Sequence, residues 1–95
     1  MSERDAYVDK MKAQIDEWNA EIDKLEAKAR QAEADARVEY NKQLEELRKR
    51  RDEAYHKMEE IQSATDAAWD DMRAGFEAAW NSISNAFQDA MKRIR

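Results

Sequence analysis

The chain has 95 residues, a formal charge of −5, a single Gly, no Pro and no Cys. Disulfides and thiolate chemistry are excluded and the usual turn-makers are nearly absent. The acidic balance argues against duplex nucleic acid as a partner, because phosphate neutralisation supplies most of that affinity. With 41% charged residues and Ala, Glu, Lys and Arg prominent, the composition is that of long helices, and an apolar fraction of 42%, rich in Ala, points to stabilisation by oligomerisation.

The start, Met-Ser-Glu-Arg-Asp, lacks the basic and then apolar stretch of a secretory leader, and no run approaches the ~18 consecutive apolar residues of a membrane span. A cytoplasmic protein is expected. Ser2 with Asp5 resembles an N-cap for a first helix. From there apolar positions step 3,4,3,4 in a heptad seam: Val8, Ile15, Ile22, Ala29 and Ala36 at one core position, Met11, Trp18, Leu25 and Ala32 at the other. The Ala-rich stretch Ala27 to Ala36 suits close approach of a partner helix, near 8 Å.

Around Tyr40 the spacing slips to 4,4 (Ala36, Tyr40, Leu44), then returns to 3,4 steps through Leu47, Arg51, Ala54, Met58 and Ile61. Such a slip locally unwinds a supercoil without ending the helix, so one heptad helix over 2–62 is expected. Acid-before-base pairs four residues apart support it: Glu26/Arg30, Glu33/Arg37, Glu45/Lys49, Glu46/Arg50 and Glu53/Lys57. The seam Val8, Met11, Ile15, Trp18, Ile22, Leu25, Ala29, Ala32, Leu44, Leu47, Ala54, Met58 and Ile61 is read as the contact between copies of a homo-oligomer, with Arg51 as a polar residue that specifies register.

A turn is placed at 63–66, where Ser63 or Thr65 can cap a new helix and Asp66 suits its first turn. Charge density falls there and large aromatics begin. The second helix, 66–94, folds back on roughly residues 34 to 62. The fold class is all-α, a long helical hairpin assembling into an oligomeric coiled coil or bundle. The alternative is one continuous helix of about 140 Å at 1.5 Å per residue, favoured by an 11-residue phase unbroken through Thr65.

That phase runs Met58-Glu-Glu-Ile61, Trp69-Asp-Asp-Met72, Trp80-Asn-Ser-Ile83, Met91-Lys-Arg-Ile94, with Phe76 and Phe87 between. Eleven residues make three turns of about 3.67, so large side chains return to one stripe. Helical projection puts Ala68, Met72, Gly75, Ala79, Ala86 and Ala90 on a small flank and Trp69, Phe76, Trp80, Phe87 and Met91 on an aromatic one, a face of about 160°. So broad a face suits packing between two other helices. Trp69, Met72, Phe76, Trp80, Ile83, Phe87, Met91 and Ile94 are the candidate partner or lipid face. Between Ser63 and Ala90 the single cation Arg73 meets Asp66, Asp70, Asp71, Glu77 and Asp89. Lipid-binding helices carry Lys and Arg there, so a partner helix is the preferred cover and a membrane surface the alternative.

Catalytic and metal chemistry finds little support. Glu53-x-x-His56 has the spacing of di-iron bundles, but with Ala54 facing the core both residues and Glu60 fall on the solvent side. The run Arg48 to Arg51 is flanked by Glu45, Glu46, Asp52 and Glu53, which suits a solvated face. Asp16-Glu17 and Glu59-Glu60 lack an apolar pocket to perturb them. No enzyme, cofactor or metal is expected.

The stretches Ala68-Trp69-Asp-Asp-Met72-Arg-Ala-Gly75-Phe76-Glu-Ala-Ala-Trp80 and Met11-Lys-Ala-Gln-Ile15-Asp-Glu-Trp18-Asn-Ala-Glu-Ile22-Asp-Lys-Leu25 resemble small bacterial coiled-coil proteins, some labelled stress-response, whose C-terminal ends carry apolipoprotein-like repeats. The resemblance implies a soluble, stress-linked bacterial protein with no catalytic residue. Apolipoproteins proper punctuate their repeats with Pro, which this chain lacks.

Overall fold

From Glu26 to Arg37 no apolar side chain is larger than Ala, and the chain turns inside that stretch. The structure, a computed structural model, describes residues 3–93: helices α1 (Glu3–Gln31), α2 (Ala34–Gln62) and α3 (Asp66–Lys92). Ser2 and Ile94, assigned above to a cap and to the apolar face, lie outside the described residues. The single helix expected over 2–62 is therefore two helices, broken at Ala32 and Glu33. Helix propensity favours continuity there. Packing overrides it, because folding back at a point that carries no large side chain lets the two apolar stripes cover each other.

The helices run up, down and up, so α1 and α3 are parallel and both are antiparallel to α2. The longest extent is 52 Å, where a hairpin with a 61-residue first helix would reach about 90 Å. The seam residues Val8, Met11, Ile15, Trp18, Ile22, Leu25 and Ala29 of α1 and Leu44, Leu47, Ala54, Met58 and Ile61 of α2 are buried in one core with α3. In this structure their cover comes from their own chain. Ala32 is half-buried in the turn, and Ala36 is exposed because the stripe has already turned back.

The second turn is built from local polar chemistry. Thr65 is extended (φ −70°, ψ 164°), and its hydroxyl oxygen accepts from the Ala68 N–H at 3.1 Å, capping α3. The Ser63 hydroxyl donates to the Glu59 carbonyl at 2.8 Å and closes α2. Three residues out of helix suffice to reverse the chain, so the unbroken 11-residue phase does not produce a continuous rod. The unit beginning at Met58 is split between α2 and α3, and the uninterrupted repeats begin at Trp69.

Polar contacts between helices replace several expected local pairs. Glu46 and Arg50 do pair, at 2.9 Å. Glu26 turns to Arg48 of α2, at 2.7 Å, rather than to Arg30, and Arg37 donates to the Ala32 carbonyl in the turn, at 3.0 Å. Arg51, half-buried at the seam, donates to Asn19 of α1 at 3.0 Å. No described helix is long and apolar enough to cross a membrane.

Candidate functional site

The aromatic flank of α3 meets α1. Trp69, Phe76, Trp80, Ile83 and Phe87 are buried, while Met72 and Met91 are half-buried and packed against the core. Ala90, assigned above to the small flank, is buried with them. The backbones of α2 and α3 lie close together, whereas those of α1 and α3 scarcely approach, and aromatic rings fill the wider gap.

Two α1 residues receive those rings. Tyr7 packs on Trp69 (centroids 5.6 Å apart) and edge-on against Phe76 (5.8 Å, 86°). Trp18 lies nearly parallel to Trp80 (5.8 Å, 13°) and to Phe87 (4.5 Å, 12°). Tyr7 and Trp18 stand one 11-residue step apart, as do Trp69 and Trp80, and Phe76 and Phe87. Because the helices are parallel, the second ring cluster repeats the first one step along. Each such pair adds roughly 0.5–1.5 kcal/mol beyond the apolar area it buries.

Tyr7 was missing from the residues singled out by periodicity, since it precedes Val8 and lies off the heptad seam. Its separation from Trp18 by the repeat length of α3 was the available signal. The small flank also differs from expectation. Gly75 is exposed and a Cβ built there would meet nothing within 4 Å, so close approach to α2 does not require it.

Charged groups tie the first turn of α1 to the start of α3. The Arg4 guanidinium donates to the Ala64 carbonyl and lies 3.5 Å from Asp66, and Arg73 pairs with Glu3 at 3.3 Å. The Tyr7 hydroxyl donates to the Glu77 carboxylate, a bond that raises the phenol pKa because it stabilises the protonated form. At the α1–α2 contact, the hydrogen bond from Arg48 lowers the pKa of Glu26.

These groups hold helices together, and their arrangement does not converge on a reaction centre. His56 and Glu60 are exposed and Glu53 is half-buried on the outer side of α2. Among the described residues no cluster of His, Cys, Asp and Glu has the makings of a metal site. The Arg48 to Arg51 run is distributed among Glu26, Glu46, Glu53, Asp52 and Asn19. The guanidinium groups of Arg48, Arg50 and Arg51 are engaged with carboxylates and an amide of the same chain.

No curated protein and no solved structure matches the chain. Two stretches, residues 69–79 and 80–90, match the TMP repeat. Their bounds are those of the units read above, Trp69 to Ala79 and Trp80 to Ala90, in keeping with the apolipoprotein-like 11-residue repeats expected near the C-terminus. The helix that closes the bundle thus carries two consecutive stretches that match the TMP repeat, and their aromatic residues are the ones that meet Tyr7 and Trp18.

Proposed function

We propose that the protein is a non-enzymatic structural and interaction protein that works through helix–helix association, forming a homo-oligomer and offering helical surface to a partner helix. The observation that carries this reading is the use of the repeat-bearing helix: its large side chains serve packing, and Asp66, Arg73 and Glu77 make contacts to α1 rather than lining a shared cleft. A helix with a periodic apolar face is the kind of element that docks on other helices, as α3 does within the chain.

Light scattering on the full chain over a range of concentrations tests this. A defined oligomer is expected, and a strict monomer at every concentration would overturn self-association. A vesicle titration read by Trp fluorescence separates protein from lipid as the cover of α3. Unchanged emission with neutral and anionic vesicles is expected, whereas a blue shift with co-sedimentation would assign the face to a lipid surface instead.

A further inference from the structure

We propose that the chain self-associates by exchanging α1 between two copies, with the turn at Ala32 and Glu33 straightening into helix. The inference rests on the self-association reading above and names its route.

The two turns of the bundle differ in what holds them. Between α2 and α3, Thr65 caps one helix, Ser63 closes the other and Arg4 reaches across to the Ala64 carbonyl. Between α1 and α2, Glu33 occupies the N-cap position without a side-chain cap hydrogen bond, the exposed Arg37 side chain reaches back to the Ala32 carbonyl, and the residues are Gln31-Ala32-Glu33-Ala34. Ala, Gln and Glu are strong helix formers, and no described residue has a positive φ that would oppose helix there. Returning two residues to the α region joins Glu3 to Gln62 in one helix, with Ala29, Ala32 and Ala36 keeping their 3,4 steps.

Straightening withdraws α1 from its own groove on α2 and α3. The occupant that fits that groove is α1 of a second copy, which brings Tyr7 and Trp18 for the aromatic flank, Asn19 for Arg51 and Glu26 for Arg48. Apart from the Arg37–Ala32 bond of the turn itself, the inter-helix contacts of the closed chain are remade between chains, which is why such exchange is a low-cost route to a dimer. One contact is new. The two long helices cross near the former turn, where Ala32 is half-buried and Ala36 exposed in the closed chain, and these small side chains, four residues apart, permit close approach.

Ala34→Pro separates the two states. Glu33 is extended (φ −66°, ψ 159°), as a residue before Pro prefers, and Ala34 is the first residue of α2, where Pro is well accommodated. In a continuous helix the same ring clashes with the Arg30 carbonyl and removes a hydrogen bond. The experiment compares the full-length chain with Ala34→Pro by light scattering and helicity. It adds Lys10→Cys/Glu60→Cys, doubly spin-labelled and diluted into unlabelled protein. In the closed chain both labels sit at the Arg4–Ala64 end of the bundle.

The expected result is a dimer whose association constant falls at least about a hundredfold in Ala34→Pro with helicity retained. The intrachain label distance in the dimer should lengthen to about 75 Å, fifty residues of helix. A dimer of undiminished affinity in Ala34→Pro, or a short intrachain distance in the dimer, overturns the exchange and leaves self-association standing. A monomer at all concentrations overturns both. Should Ala34→Pro fail to fold, Glu33→Ser, which supplies the absent N-cap in both closed chains, is expected to weaken the dimer about thirtyfold, and unchanged affinity in that variant overturns the exchange.

Discussion

Trp18 is the side chain on which the α1–α3 contact turns. It is 3% exposed and lies against both Trp80 and Phe87. Trp18→Ala removes a buried aromatic between two others, and a loss of roughly 3–5 kcal/mol is expected in urea denaturation. An unchanged midpoint would show that the rings of α3 close up without it. Glu26 gives a pH-dependent counterpart at the surface. Its folded-state pKa is depressed by the hydrogen bond from Arg48, so its contribution to stability is present above the unfolded-state pKa and lost as pH falls through the folded value. Carbon-detected NMR titration should place its carboxyl below that of an unpaired Glu, and Arg48→Gln should move it back up. An unmoved titration would mean that the pair does not form in solution. Tyr7 runs the other way. Its raised pKa means that its contribution holds at neutral pH and is lost only as pH climbs through the folded value.

At the scale of the helix, the two turns divide what a sequence can announce from what it cannot. The turn before α3 is written in its residues: a Thr whose hydroxyl caps the helix, an Asp in the first helical turn and a change of neighbours. The turn before α2 has no such text. Every residue from Gln31 to Ala34 favours helix, and the reversal follows from what lies tens of residues away, the match between the stripe ending at Ala29 and the stripe beginning at Leu44. The absence of any large apolar side chain between Glu26 and Arg37 was the nearest thing to a signal, and it also fits an uninterrupted thin seam. Within α3, Gly75 tests the division between small and aromatic flanks. It sits mid-helix, exposed and unopposed, so Gly75→Ala should stabilise by roughly 0.5–1 kcal/mol, raising the melting temperature by several degrees. A fall instead would mean that a neighbour comes closer to this position than the 4 Å that surrounds it here.

For the molecule as a whole, the apolar stripes were legible as stripes, and what they would face was not. Periodicity identifies Val8 to Ala29 and Leu44 to Ile61 as surfaces needing cover, but a heptad stripe is equally satisfied by a second chain or by a later part of its own. The outcome depends on whether the chain reverses at Ala32, which is a property of the assembled bundle. The candidate site was readable on the α3 side, through its repeat, and incompletely on the α1 side, where Tyr7 belonged to a different period from its neighbours. The near-parallel stack of Trp18 on Trp80, at 13° and 5.8 Å, has a consequence of another kind. Rings held in one fixed arrangement sit in an asymmetric environment that is lost when α1 and α3 separate, even while the helices persist. Near-ultraviolet circular dichroism of this chain therefore reports the union of its first and last helices, while far-ultraviolet dichroism reports the helices themselves, and the two signals distinguish undocking from unfolding without any label.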